Sequence, residues 1–222
     1  MESLFAEESP FDAESAAPGL SVRRIAVYSP IGRLGKTDFA IALGRGLSKQ
    51  ARVLYINMEM YSGFQTLYPA DGLTMSELMY FLKQGKCDFA CKLDAAVRQM
   101  GSLDYIQPIK SPAEYESITG DDWELLIDSV TRKCRYEILI LDPGTATRGI
   151  FDILCGCDYI YTPTAGDEHA GAKIQQYKEA LSVLSMEQIL ERTTFFELAD
   201  GEDPTAFISS ECRRWLTADE RL

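Results

Sequence analysis

Residues 27–38 read VYSPIGRLGKTD, and the fold prediction starts from the place of this stretch in the chain. An apolar run before Ser29 predicts a short strand, and apolar residues at helical spacing after Gly35 predict a helix. A loop between such elements turns its backbone N–H groups inward as an anion nest, and the helix adds its positive end. The stretch therefore predicts a phosphate-binding loop. The residues expected around the phosphates are consecutive: Gly32, Arg33, Leu34, Gly35, Lys36, Thr37 and Asp38.

The chemistry expected of this loop depends on Lys36 and Thr37. A lysine at this position reaches the outer phosphates, and a threonine hydroxyl holds Mg²⁺. Gly35 lets the backbone approach a phosphate without a Cβ in the way. The usual pattern has a further glycine five residues earlier, where this chain has Pro30, so the full motif is not present. The alternative interpretation is a purely structural turn between strand and helix.

Strands and helices alternate along the rest of the chain. Strands are predicted at residues 22–28, 52–57, 103–108, 136–141, 158–163 and 193–198. Helices are predicted at residues 36–49, 74–84, 87–100, 120–133, 168–184 and 206–216. This alternation favours an α/β fold with a doubly wound, mostly parallel sheet and helices on both faces. We expect one such domain over residues 21–222, preceded by a disordered acidic tail or linker over residues 1–20.

Two acidic residues follow predicted strands, at the edge where ligands bind in a sheet of this kind. Asp142 comes directly after the apolar run at 138–141, an arrangement in which the acid holds Mg²⁺ directly or through water. Glu59 lies two residues beyond the second strand and is placed to position or activate a water. The alternatives are a helix cap for Asp142 and a solvated loop carboxylate for Glu59.

The charge of the chain bears on its partners. There are 22 Lys+Arg and 34 Asp+Glu, which gives a formal net charge of −12. Residues 1–20 hold five acids and no base, so −7 belongs to the rest. Proteins that neutralise phosphates along nucleic acid normally carry the opposite sign, so we expect no main role for nucleic acid.

Cysteines and apolar runs set further limits. The six cysteines and the single histidine, His169, show no zinc-ligand spacing and are typical of reduced thiols in a cytoplasmic protein. Neither a signal peptide nor a membrane-spanning stretch is expected from the sequence.

The motifs resemble those of a known class. Residues 27–37, 53–59 and 136–142 resemble the deviant Walker A loop, the switch I strand and the Walker B strand of ParA/MinD-type P-loop ATPases, which are SIMIBI-like. Residues 111–126 and 154–173 also fit, and the similarity is greatest to the TadZ/CpaE-like ATPase domains of Flp/Tad pilus assembly. The resemblance implies ATP and Mg²⁺ as cofactors and a homodimer formed on nucleotide binding. It also implies protein partners from a pilus, secretion or positioning system, which recruit the protein to the cell pole or the inner face of the membrane.

The same resemblance assigns roles within the site. Lys36, Glu59 and Asp142 are the expected catalytic residues, and Thr37 and Asp142 are the expected Mg²⁺ ligands. The whole run from Gly32 to Asp38 is expected to contact the nucleotide.

Five positions depart from the family pattern. The signature lysine, which reaches the partner's phosphates across the dimer, is replaced by Ile31, and Arg33 replaces a glycine. We take as a hypothesis that the Arg33 guanidinium makes the phosphate contact instead. Asn57 and Glu59 stand where ParA proteins carry aspartates, and Asp38 stands where a small hydroxyl residue is common.

These departures favour an ATP-binding switch that positions or regulates a partner machine, with weak or absent hydrolysis. One alternative is a non-catalytic scaffold with a degenerate nucleotide site, and another is a DNA-partitioning ParA-type ATPase. The C-terminal residues 207–222 look more like a packed helix than a lipid anchor, and peripheral membrane contact is left open.

Overall fold

The computed structural model describes residues 22–85, 88–197 and 205–217, so the tail predicted over residues 1–20 lies outside it. Within these ranges there are seven strands, β1 to β7: Arg23–Val27, Val53–Met58, Val97–Met100, Leu103–Ile106, Ile138–Pro143, Tyr159–Thr164 and Thr193–Glu197. The same ranges hold ten helices, α1 to α10: Lys36–Leu47, Phe64–Leu67, Met75–Gln84, Phe89–Ala96, Pro112–Ser117, Gly120–Lys133, Ile150–Cys155, Glu168–Val183, Gln188–Glu191 and Thr205–Thr217.

These strands form one sheet in the order β3-β4-β2-β5-β1-β6-β7. Neighbouring strands are parallel except for β3, which is antiparallel to β4. β1 lies inside the sheet, where Ile25 is paired with Ile140 on one side and with Tyr159 on the other. The predicted α/β class with a mostly parallel sheet is confirmed. Because β1, β2 and β5 run in the same direction, their carboxyl ends meet at one edge.

Helices cover both faces of the sheet, because successive strand side chains point to opposite sides. Ile25 and Tyr55 belong to a core shared with α1, α2 and α10. Ala26 and Ile56 belong to the opposite core, which α3 to α9 cover. A fully buried aliphatic or aromatic side chain contributes about 1.5–3 kcal/mol. The two cores therefore fix the strand ends that carry the loops of interest.

One predicted helix is wrong at its end. Residues 97–100, predicted as the last turn of a helix over 87–100, form the edge strand β3. Val97 is extended, with φ −66° and ψ 138°, and Gly101 turns the chain toward β4 with φ 69°. The Arg98 guanidinium also donates to a backbone carbonyl 27 residues earlier. These tertiary contacts outweigh the local helical pattern. Position 87, where the predicted helix begins, lies outside the described residues.

Other helices follow the prediction closely. The helix predicted over 120–133 matches α6 at both ends, and the helix predicted over 74–84 is α3, which begins with a capping box formed by Thr74 and Glu77. The sequence pattern does not predict the short helices α2, α5, α7 and α9, because four to six residues are too few to show a helical period. No helix among the described residues has both the length and the hydrophobicity needed to cross a membrane.

Candidate functional site

The loops after β1 and β2 meet at the carboxyl edge of the sheet and border a small cleft. The cleft has a volume of about 170 Å³. Its lining combines six residues of the first loop and first helix with one acid from the second loop: Arg33, Leu34, Gly35, Lys36, Thr37, Asp38 and Glu59. Gly32, also predicted at the site, lies in the same loop but is not part of this lining. Six of the seven loop residues predicted to surround the phosphates therefore line the cleft.

The loop between β1 and α1 is held by buried polar and apolar contacts. Ser29 is fully buried, and its Oγ accepts a hydrogen bond from the Ile31 backbone N–H at 3.1 Å. The Ile31 side chain is itself buried, at 8% exposure. Gly35 precedes α1 in the left-handed region at φ 63°, where a glycine carries no Cβ penalty. Arg33 adopts the same region at φ 64° with its side chain exposed, which is uncommon for a residue with a Cβ.

Lys36 opens α1 and is 8% exposed. Its Nζ lies 3.7 Å from Glu59 Oε1. The carboxylate of Glu59 is therefore the anion that Lys36 contacts in this structure. A phosphate bound in the cleft would compete with Glu59 for the same cation.

A hydrogen-bond network surrounds Asp142 at the end of β5. The Oδ2 atom of this fully buried carboxylate accepts from the Thr37 hydroxyl at 2.7 Å and from the Tyr55 hydroxyl at 2.7 Å. It also accepts from the Asn57 amide at 3.1 Å, and that amide donates to the Tyr55 oxygen at 3.0 Å. Asn57 faces Asp142 directly across the β2–β5 pairing.

The electrostatics of Asp142 follow from its burial. Desolvation raises the pKa of Asp142 to about 6, against the lowering effect of the hydrogen bonds from Tyr55 and Thr37. The negative charge of Glu59 raises it further, and the positive charge of Lys36 opposes that rise. Burial and the adjacent Asp142 charge also raise the pKa of Tyr55 well above its usual value, so its hydroxyl remains a donor.

The donor set fits a magnesium ion. The other oxygen of Asp142, Oδ1, is buried and has no hydrogen-bond partner among the described residues. Such an atom is costly unless a cation or water satisfies it. Mg²⁺ takes oxygen ligands and is commonly held by one or two protein groups together with substrate phosphates. The Thr37 hydroxyl, hydrogen-bonded to the same carboxylate, supplies a second oxygen at this place.

The loop that carries Glu59 is tied to its neighbours through the backbone. The Glu59 N–H donates to Asn57 Oδ1 at 3.1 Å, and the carbonyl of Met58 accepts from the hydroxyls of Tyr115 and Thr147 at 2.7 and 3.0 Å. Beyond β5, a Cβ added at Gly144 would lie 3.2 Å from Glu59 Cγ. The loops after β2 and β5 are therefore in close contact.

Sequence reasoning missed Tyr55 as a site residue. A tyrosine in an apolar strand is typical of the core, and Tyr55 is indeed fully buried. The only signal in the sequence is its spacing, two residues before Asn57 and therefore on the same face of β2. His169, which was given no site role, is exposed in the first turn of α8.

The sheet order and the loops after β1 and β5 define the class of the fold, which is that of the α/β P-loop NTPases. Within this class, solved structures of ParA/MinD-type ATPases share the fold. A ParA family ATPase from Chlorobium tepidum TLS superposes with a TM-score of 0.69 at 17% identity, over 87% of this chain and 81% of that chain.

Two further structures extend the comparison. A putative plasmid partition protein from Borrelia burgdorferi B31 bound to AMPPNP gives a TM-score of 0.56 at 18% identity, over 87% of this chain and 83% of that one. A chain of the MinC:MinD cell division protein complex from Aquifex aeolicus gives 0.59 at 14% identity, over 79% and 68%. No family model and no curated protein matches the sequence.

Proposed function

We propose that the protein is an ATP-binding switch of the ParA/MinD type, similar to TadZ/CpaE-like ATPase domains, with weak or absent hydrolysis. It forms homodimers when ATP binds and positions or regulates a partner machine of a pilus, secretion or positioning system. In this proposal the protein acts in the cytoplasm, and its partners recruit it to the cell pole or the inner face of the membrane. The observation that carries the proposal is the junction of two cleft residues, Lys36 and Thr37, with the buried Asp142, whose Oδ2 accepts from the Thr37 hydroxyl at 2.7 Å.

Each residue of the junction has a separate task in this proposal. Lys36 and the loop amides bind the outer phosphates. Thr37 and Asp142 hold Mg²⁺, which when bound neutralises developing charge on the phosphates. Glu59 orients the attacking water, and Asn57 holds its backbone by accepting from the Glu59 N–H.

The weak or absent hydrolysis follows from Ile31. In the family that the chain resembles, this position carries a lysine that stabilises charge across the dimer. Here the side chain is apolar and 92% covered by the chain's own atoms, since only 8% of it is exposed. Ile31 therefore provides no charge to a partner's phosphates.

The burial of Ile31 also favours a second candidate, a scaffold without nucleotide chemistry. In that case the strand–helix loop is structural and Lys36 serves only to pair with Glu59. The two candidates differ in whether ATP binds.

Two measurements on the wild type and on Lys36→Ala separate the two candidates. Calorimetry measures ATP binding, and a phosphate-release assay measures hydrolysis. Lysine at this position contributes a point charge to phosphate binding, so we expect Lys36→Ala to weaken ATP affinity by at least about tenfold. Lys49→Ala is the matched control, because Lys49 is an exposed lysine just beyond the other end of α1. Undetectable ATP binding by the wild type would overturn the proposed function in favour of the scaffold. Equal affinity in Lys36→Ala would show that ATP does not bind at this loop and would overturn the proposed site.

A further inference from the structure

The distribution of hydrogen bonds on Asp142 is one-sided. Three donors converge on Oδ2: the hydroxyls of Thr37 and Tyr55 and the amide of Asn57. None of the described residues donates to Oδ1. A carboxylate held in this way cannot exchange its two oxygens without breaking all three bonds, so the two atoms have different tasks.

We propose that Tyr55 and Asn57 are positioning residues of the magnesium–nucleotide site, which anchor Asp142 Oδ2 and leave Oδ1 available to the cation. The inference rests on the proposed function, because it concerns the metal that accompanies the nucleotide. Neither residue needs to touch the cation. Each acts through Asp142, and partners of this kind typically change metal affinity by about 10- to 100-fold.

Asn57 adds a second connection. Its amide nitrogen donates to Asp142 while its Oδ1 accepts from the Glu59 N–H at 3.1 Å. One side chain thereby joins the metal-binding carboxylate to the backbone of the loop that faces Lys36. An aspartate at position 57 has no N–H to donate and would place a second buried carboxylate beside the first, which is unfavourable. The amide is therefore suited to this arrangement.

Core packing is the competing explanation for Tyr55, and the neighbouring strand offers a matched comparison. Tyr105 is paired with Tyr55 across β2 and β4. Both tyrosines are buried, and both rings contact Phe64, at centroid distances of 5.8 and 5.3 Å. Only the hydroxyl of Tyr55 reaches Asp142. If packing were the sole role, removing either hydroxyl would have a similar effect.

The test is the Mg²⁺ dependence of ATP binding in Tyr55→Phe and Tyr105→Phe. ATP affinity is measured in EDTA and then during a Mg²⁺ titration, with urea unfolding as the stability readout. We expect Tyr55→Phe to keep the EDTA affinity within about twofold of wild type and to raise the half-saturating Mg²⁺ concentration by about tenfold. Tyr105→Phe is expected to titrate with Mg²⁺ like the wild type.

Asn57→Leu, which keeps the branched shape and removes both amide groups, is the second variant and is expected to raise the Mg²⁺ midpoint in the same direction. Equal Mg²⁺ midpoints for wild type, Tyr55→Phe and Tyr105→Phe would overturn this inference while leaving the proposed function intact. A wild type that does not bind ATP would overturn the proposed function and the inference together.

Discussion

In the pair formed by Lys36 and Glu59, the carboxylate would compete with a bound phosphate for the lysine. The two charges lie 3.7 Å apart, and 27% of the Glu59 side chain is exposed. Partly exposed pairs of this kind contribute only about 0.2–1 kcal/mol. In the proposed function, Glu59 would therefore oppose phosphate binding weakly, both by pairing with Lys36 and by its own negative charge.

Glu59→Gln is expected to strengthen ATP binding by about twofold to fivefold, because the competing charge is removed while the shape is kept. If Glu59 orients the attacking water, the same change lowers the rate of any phosphate release. Calorimetry and a phosphate assay measure the two effects separately. Weaker ATP binding in Glu59→Gln would show that the carboxylate helps to hold the nucleotide, contrary to this account.

Arg33 is the candidate for the phosphate contact that the family resemblance assigns to a lysine at position 31. It lines the cleft with its side chain exposed. Hydrogen bonds to charged groups contribute about 1.5–3 kcal/mol, so we expect Arg33→Ala to lower ATP affinity by about tenfold. Arg45→Ala, an exposed arginine in the last turn of α1, serves as the control. Unchanged affinity and turnover in Arg33→Ala would refute the hypothesis.

The sequence motifs predicted the lysine, threonine and aspartate of the candidate site. They missed the tyrosine, whose contact depends on strand pairing. Lys36, Thr37 and Asp142 follow from local pattern, since each stands at a strand end or a helix start. The contact of Tyr55 with Asp142 requires β2 and β5 to be neighbours in a particular register, although the two residues are 87 positions apart in the chain. No local pattern carries that information.

Among the elements, α6 follows most directly from its own sequence. Thr119 caps the helix by accepting from the Asp122 N–H at 3.2 Å, while the Asp122 carboxylate accepts from the Thr119 N–H at 2.8 Å. Lys83 from α3 pairs with the same carboxylate at 2.8 Å. The start of α6 is a local feature of the sequence, because the two residues of the capping box lie three positions apart.

Thr119→Ala is expected to lower the free energy of unfolding by about 1 kcal/mol through loss of the cap. Thr131→Ala within the same helix is the matched control. Its hydroxyl only donates to the Ile127 carbonyl, and alanine is the better helix former, so its expected change is under about 0.5 kcal/mol. Urea unfolding measures both variants. A control that loses as much stability as Thr119→Ala would exclude capping as the cause.

The edge strand β3 is an element that the local sequence pattern does not predict. Its four residues continue the helical pattern of α4 in sequence, and the turn at Gly101 and the antiparallel pairing of all four with β4 distinguish them in the structure. An edge strand has one partner, and here that partner is the next strand in the chain. Residues 97–100 therefore form a strand because they pair with β4 in a hairpin. The hydrophobic periodicity of residues 87–100 does not predict that pairing.

For the molecule as a whole, the size of the cleft bears on assembly. About 170 Å³ is well below the roughly 300–1,000 Å³ of pockets that enclose a ligand. A nucleotide seated on the phosphate loop would be largely uncovered by the described part of one chain. A second copy that covers it is consistent with the proposed homodimer.

Sedimentation velocity with and without Mg·ATP checks this expectation. We expect the sedimenting mass to double with Mg·ATP in the wild type and to stay unchanged in Lys36→Ala, since the nucleotide contributes to the interface. A wild type that binds ATP and keeps a single mass would refute nucleotide-dependent dimerisation and leave ATP binding unaffected.

The position of β1 between β5 and β6 has a consequence for folding during translation. β1 is translated before both of its partner strands, which begin at residues 138 and 159. Contacts so distant in sequence form late, because closing a long loop costs entropy before any pairing compensates for it. Strands β2 and β4 are made and can pair while β1 still has no neighbour. The loop after β1 therefore gains its support from neighbouring strands only after β5 and β6 have been translated.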